Sequence, residues 1–193
     1  MVSLVSAGAL ILGLSVAAYP GEMAGKGIKG LSNVQLINLA QSAAPLGISR
    51  EATVLIPGED GLLVEARKGS NGFTCVPDIS GQEEPDPFCG DRAATQWLMD
   101  VLANNEKPGN TVPGIAYMGK GGWHWEKDGK IVSSGTEGAM RVKEPPHWMV
   151  FWPVGSRETA LPTMPGKFGA YIMYDGSPYA HIMIYQDPNK IGR

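Results

Sequence analysis

Glycine and proline interrupt this chain so often that long regular elements are ruled out over most of it. There are 26 glycines and 15 prolines among 193 residues, which predicts many turns, short strands and well-defined loops. Only two stretches have helical spacing. Ser32 stands as a cap before "NVQLINLAQSAA", where Val34, Leu36, Ile37, Leu39 and Ala40 offer one broad apolar face and Pro45 supplies the stop. "RAATQWLMDVLANN" begins at Asp91 or Thr95, carries Trp97, Leu98, Val101 and Leu102 at helical spacing, and ends before Pro108.

From Ala52 onward the remaining segments read as strands. "ATVLIP" and "LLVEARK" flank a Gly58–Gly61 turn, and "GSNG" leads into "FTCVP", which predicts a three-stranded meander. "GIAYMG" follows the second helix. "WHWEKDGKIVSS" holds the hairpin dipeptide Asp128-Gly129. "HWMVFWPV" and "AYIMYDGSPYAHIMIY" complete the set, the last as a hairpin about Asp175 to Pro178. The expected fold is α+β, a largely antiparallel sheet with two main helices packed on it.

The first 18 residues contain no charged side chain, and their apolar run ends in Val16-Ala17-Ala18. That pattern is expected of a signal peptide over 1–18, cleaved after Ala17 or Ala18. A flexible lead-in over 19–30 and one domain over 31–193 would follow. The chain would then be exported, periplasmic or extracellular, with no stable membrane insertion once the signal is removed. Cysteine usage agrees: Cys75 and Cys89 are the only two, and an even pair in an exported chain reads as a disulfide. Closing that loop is worth roughly 3 kcal/mol by the chain-entropy argument. A formal charge of -3 gives no basic surface for phosphates, so nucleic acid is not an expected partner.

The chemically unusual feature is a repeated spelling. His147-x-Met149 and His181-x-Met183 hold two of the three histidines. Alternation along a strand puts His181 and Met183 on one face with Tyr179 and Tyr185, opposite Ala180, Ile182 and Ile184, which have the character of a core set. With Gly176 and Ser177 at the loop centre, Tyr174 would pair with Tyr179 and Ile172 with His181. If the two strands are neighbours with matching faces, both pairs converge. Imidazole and thioether together suit copper, Cu(I) above all, so His147, Met149, His181 and Met183 are candidate copper ligands, with Met118, Met164 and Met173 as extras. Against this stands the ordinary use of methionine as a core filler.

An acid-base pocket is the alternative, with His181 as the catalytic group and Tyr179 or Asp175 as partner, or His124 with Glu126. Trp123 and Trp125 read as core, or else as a stacking platform. The acidic loop with Asp78, Glu83, Glu84, Asp86 and Asp91 reads as solvated rather than as a calcium site. The H-E-x-x-H and G-x-S-x-G signatures are absent. Three functions therefore stand side by side: an exported protein binding a small molecule or metal ion, an exported enzyme with a His-centred pocket, and a structural domain without metal. The stretches "LIPGEDGLLVEARKGSNGFTCVPD", "PPHWMVFWP" and "DGSPYAHIMIY" together resemble a group of small exported bacterial proteins. That resemblance covers most of the chain after about Ile48 and implies export and a single domain, but carries no assigned activity.

Overall fold

The computed structural model describes residues 26–167 and 169–191; the expected signal peptide and the first part of the lead-in lie outside them. Lys26–Ile28 forms a 3-10 turn, Ile28 is buried, and Gly27 N–H donates to Gln82 O (3.0 Å). The order is then α1 (Asn33–Gln41), α2 (Leu46–Ser49), β1 (Thr53–Pro57), β2 (Leu63–Arg67), β3 (Thr74–Val76), β4 (Phe88–Gly90), α3 (Arg92–Leu102), β5 (Gly114–Met118), β6 (Gly122–Lys127), β7 (Lys130–Val132), β8 (Met140–Glu144), β9 (His147–Phe151), α4 (Ser156–Thr159), β10 (Ala170–Met173) and β11 (His181–Ile184).

Eight strands form one sheet in the order β10-β11-β9-β5-β4-β3-β1-β2, and β7-β6-β8 form a second. All pairings are antiparallel except β1 with β3. The fold is the α+β arrangement expected, with two main helices and the Cys75–Cys89 disulfide joining cross-strand partners of β3 and β4. Among the described residues no helix is long and apolar enough to cross a membrane.

Both main helices start as their sequences require. Ser32 accepts from Gln35 N–H while the Gln35 side chain accepts from Ser32 N–H, a reciprocal cap. Asp91 caps α3 by accepting from Ala94 N–H (2.9 Å), and its second oxygen accepts from Ile115 N–H (2.9 Å), tying the helix to β5. Such a cap is worth about 1 kcal/mol. α1 covers one face of the large sheet through Leu36 and Ala40 against Val54, Cys75 and Cys89. α3 covers the other through Trp97 and Leu98 against Phe88, Ala116, Met149 and Phe151.

Three local expectations need correction. The meander is not one: β3 lies parallel to β1, leaving β2 at the edge. The 69–73 segment returns along the side of β1 that β3 then pairs with, with Ser70 N–H on Glu51 O (2.8 Å) and Thr53 N–H on Phe73 O (2.9 Å). The β10–β11 register is one residue away from a tight hairpin, pairing Met173 with His181 and Tyr171 with Met183. Tyr174 adopts a left-handed backbone (φ 54°), and two successive turns close on Tyr174 O and Ser177 O, so the connection runs from Tyr174 to Ala180. A one-residue slip exchanges faces, so Tyr171 and Met173 share the side of His181. Finally, the deeper core face of β11 is the one with His181 and Met183, while Ile182 and Ile184 are half-buried.

α3 can lie close to the sheet because β4 and β5 present Gly90 and Gly114 beneath it. A Cβ on Gly114 would stand 2.3 Å from Ala94 N, a backbone atom that cannot swing aside. We expect Gly114→Ala to lift α3 and cost at least about 1–3 kcal/mol, as overpacking does, measured by urea denaturation. A neutral result would contradict this packing.

Candidate functional site

Adjacent strands on the α3 side bring the repeated spelling together. β9 and β11 are neighbours, Met149 pairs with Met183, and Met118 of β5 pairs with His147. All four expected copper candidates lie on one face, all buried. His147 and His181 stand at diagonally opposite corners of the Met149–Met183 pair, since each precedes its methionine by two residues on antiparallel strands.

The two imidazoles are held identically. His147 Nδ1 donates to Pro145 O (2.8 Å) and His181 Nδ1 to Tyr179 O (2.9 Å). A carbonyl only accepts, so each ring carries its proton on Nδ1 and turns an Nε2 lone pair elsewhere. Burial holds the His147 pKa below the usual histidine value and that of His181 down at about 4. Both rings are neutral at pH 7.

A cavity of about 190 Å³ opens between α3, this sheet face, Trp123 and Glu144 of the small sheet, and the loop closed by the disulfide. His147, His181, Met118, Met149, Met173 and Met183 all line it, with Trp97, Phe88, Phe151 and Tyr174. Met164 is not among its walls.

Behind His147 lies a buried polar cluster centred on Glu144. Its Oε1 accepts from His124 Nδ1 (2.7 Å), Tyr171 hydroxyl (2.6 Å) and Tyr185 hydroxyl (3.2 Å). His124 Nε2 reaches Glu126 Oε1 at 2.6 Å. Both partners of His124 are carboxylates, so its ring holds both protons. Burial alone would lower its pKa, but the bonds to Glu144 and Glu126 outweigh that and raise it. Burial opposes ionisation of Glu144, yet the bonds from His124 and Tyr171 hold its pKa below the usual value. Glu144 Oε2 lies 3.6 Å from His147 Nε2, too far for a hydrogen bond.

The other expected site residues lie elsewhere. Tyr179 hydroxyl donates to Asn105 O (2.8 Å), and Asp175, exposed, accepts from Ser156 N–H and hydroxyl (both 2.8 Å) in a shallow surface groove. Neither side chain hydrogen-bonds to His181; only the Tyr179 carbonyl does. Trp123 and Trp125 are half-buried, and Arg141 (3.8 Å) and Lys143 (4.4 Å) already lie over the Trp123 ring. The acidic loop is partly core rather than solvated. Asp78 accepts from Ser80 N–H, Ser80 hydroxyl, Gly81 N–H and Asp86 N–H, and Asp86 is buried beside the cavity. Desolvation raises Asp86 to a pKa of about 7.

Reasoning from sequence missed Glu144 as a site residue, together with the strand that carries it. The available signal was the alternation in "MRVKE" directly before Pro145 and three residues ahead of His147. Among the described residues, no three of His, Cys, Asp and Glu are grouped so as to hold a metal, and a metal here would have to take thioether ligands. No family model, curated protein or solved structure matches the chain.

Two outcomes test this geometry. Glu144→Ala strands His124 as a buried cation with one partner and should cost about 3–5 kcal/mol; a loss under 1 kcal/mol by urea denaturation would contradict the cluster. For Asp86 the folded pKa is raised above the unfolded value near 4. Its stabilising contribution is complete below about pH 4 and is lost as pH rises through about 7. Asp86→Asn should therefore flatten the fall in stability between pH 4.5 and 7.5 and make the variant the more stable at the upper end.

Proposed function

We propose that this is an exported small-molecule-binding protein whose ligand sits in the cavity under α3. One observation carries the reading. Seven buried side-chain nitrogen or oxygen atoms among the described residues have no hydrogen-bond partner, and four belong to residues lining this one cavity: His147 Nε2, Asp86 Oδ1, Trp97 Nε1 and Trp123 Nε1. Unpaired buried polar atoms cost about 1–3 kcal/mol each and are rare in a settled core. Their concentration here supports a ligand that supplies the missing partners. The volume suits a molecule of about one ring, given that a cavity of ~150 Å³ accommodates benzene. Export is supported by the apolar N-terminal pattern and by the disulfide.

Copper(I) is the second reading, favoured by the thioethers in the wall beside His147, with His181 apart from it at the far corner of the Met149–Met183 pair. Met118 Sδ and His147 Cε1 both lie within 4 Å of where a Cβ on Gly122 would stand, at 3.7 and 3.6 Å. This pair is the natural start of such a centre. The Nδ1 bond that orients His147 is the support a ligating histidine needs.

A panel of benzene, phenol, benzyl alcohol and benzylamine, read by melting temperature and by the fluorescence of cavity-lining Trp97, separates these. At least one probe should bind saturably, and cavity-filling Met173→Trp should abolish it. If no probe binds while Cu(I) raises the melting temperature stoichiometrically, copper is the function. If neither acts, the cavity is not a binding site.

A further inference from the structure

We propose that the ligand carries a protonated amine, held between Glu144 Oε2 and His147 Nε2, with its apolar body against the aromatic walls. This rests on the cavity being the ligand site and specifies the chemical class that the site prefers.

Glu144 is buried, and all its hydrogen bonds arrive at Oε1, from His124, Tyr171 and Tyr185. Among the described residues Oε2 has no hydrogen-bond donor; its near neighbour is His147 Nε2 at 3.6 Å. That nitrogen is fully buried and without a partner. Its proton is on the opposite nitrogen, bonded to Pro145 O. Two acceptors that cannot bond to each other thus stand side by side at a cavity wall. A single ammonium head can donate to both, since its N–H bonds reach ~2.8 Å and diverge.

Charge points the same way. His124 is one imidazolium shared by two carboxylates, so Glu126, His124 and Glu144 together carry one net negative charge, and Glu144 is the deeply buried carboxylate. Tyr171 and Tyr185 add hydrogen bonds but no positive charge. Asp86, the other acidic group in the walls, adds no compensating cation, and no lysine or arginine is among the lining residues. Arg141 and Lys143 lie over the Trp123 ring and their charges act on Asp86 rather than on Glu144, with Lys143 also paired to Glu84 (2.7 Å). An anionic ligand would meet this charge unpaired, and a neutral one would leave it as it is. An ammonium would neutralise it, and burying the ammonium is tolerable only where such partners wait. Trp97 and Phe151, whose rings pack 4.3 Å apart in the cavity wall, supply further favourable surface for an organic cation.

Titration of benzylamine, benzyl alcohol and benzoate into the full-length protein at pH 7 tests this on the wild type, so the result does not depend on any variant folding. The three probes share a ring and differ in the charge of the head. Benzylamine should bind at least ~10-fold more tightly than benzyl alcohol, and benzoate should show no measurable binding. Glu144→Gln should reduce the ratio of benzylamine to benzyl alcohol affinity to about one. Equal binding of benzylamine and benzyl alcohol would overturn the amine assignment and leave the cavity as a neutral-ligand site. Tightest binding by benzoate would overturn it outright. Failure of all three would overturn the ligand site itself.

Discussion

The two sheets meet through one carboxylate. Glu144 ends β8 of the small sheet, while Tyr171, Tyr185 and His147 approach it from the large one. His124, its partner on β6, draws in Glu126 at the partly exposed end. A buried carboxylate is tolerable only when donors surround it, and three donors converge on one of its oxygens. The path of the chain serves this contact. β5 gives way to β6 through Gly119–Gly122, and Gly121, at φ 76°, passes so close to Glu144 O that a Cβ would overlap it. Only glycine permits both the left-handed turn and the approach.

Everything that gives the cavity its chemistry depends on that joint. It fixes Trp123 and Glu144 as one wall, opposite the Met-rich face under α3. It also leaves His147 in an unusual state, deeply buried, neutral and with an unshared lone pair. A domain selected for stability alone would replace such an atom with an apolar one at little cost. Its place beside the cavity supports the proposed binding role.

The α+β class, both helices and the disulfide were legible in the sequence because each has a local cause: periodicity, a capping side chain, an even cysteine pair. The shared face of His181 and Met183 was legible for the same reason, since alternation along a strand is local. What was hidden depends on distant partners. The β10–β11 register turned on a left-handed Tyr174, which no short-range rule demands of a tyrosine. The parallel β1–β3 pairing turned on where a glycine-rich loop returns. Glu144 was hidden because the alternation in "MRVKE" suggests a strand but does not distinguish a solvated glutamate from one that both sheets will enclose. Asp86 was misjudged likewise, since Asp78 folds the acidic loop inward by taking up its N–H groups.

The central claim is that His147 presents an unprotonated, unpartnered Nε2 to the cavity. Nitrogen-15 NMR of the imidazole rings reads this directly. The His147 ring should show a protonated Nδ1 and a bare Nε2 at pH 7–8, with the Nε2 resonance moving on saturation with benzylamine. A ring protonated at both nitrogens at pH 7, or an Nε2 indifferent to every probe that fills the cavity, would contradict the account.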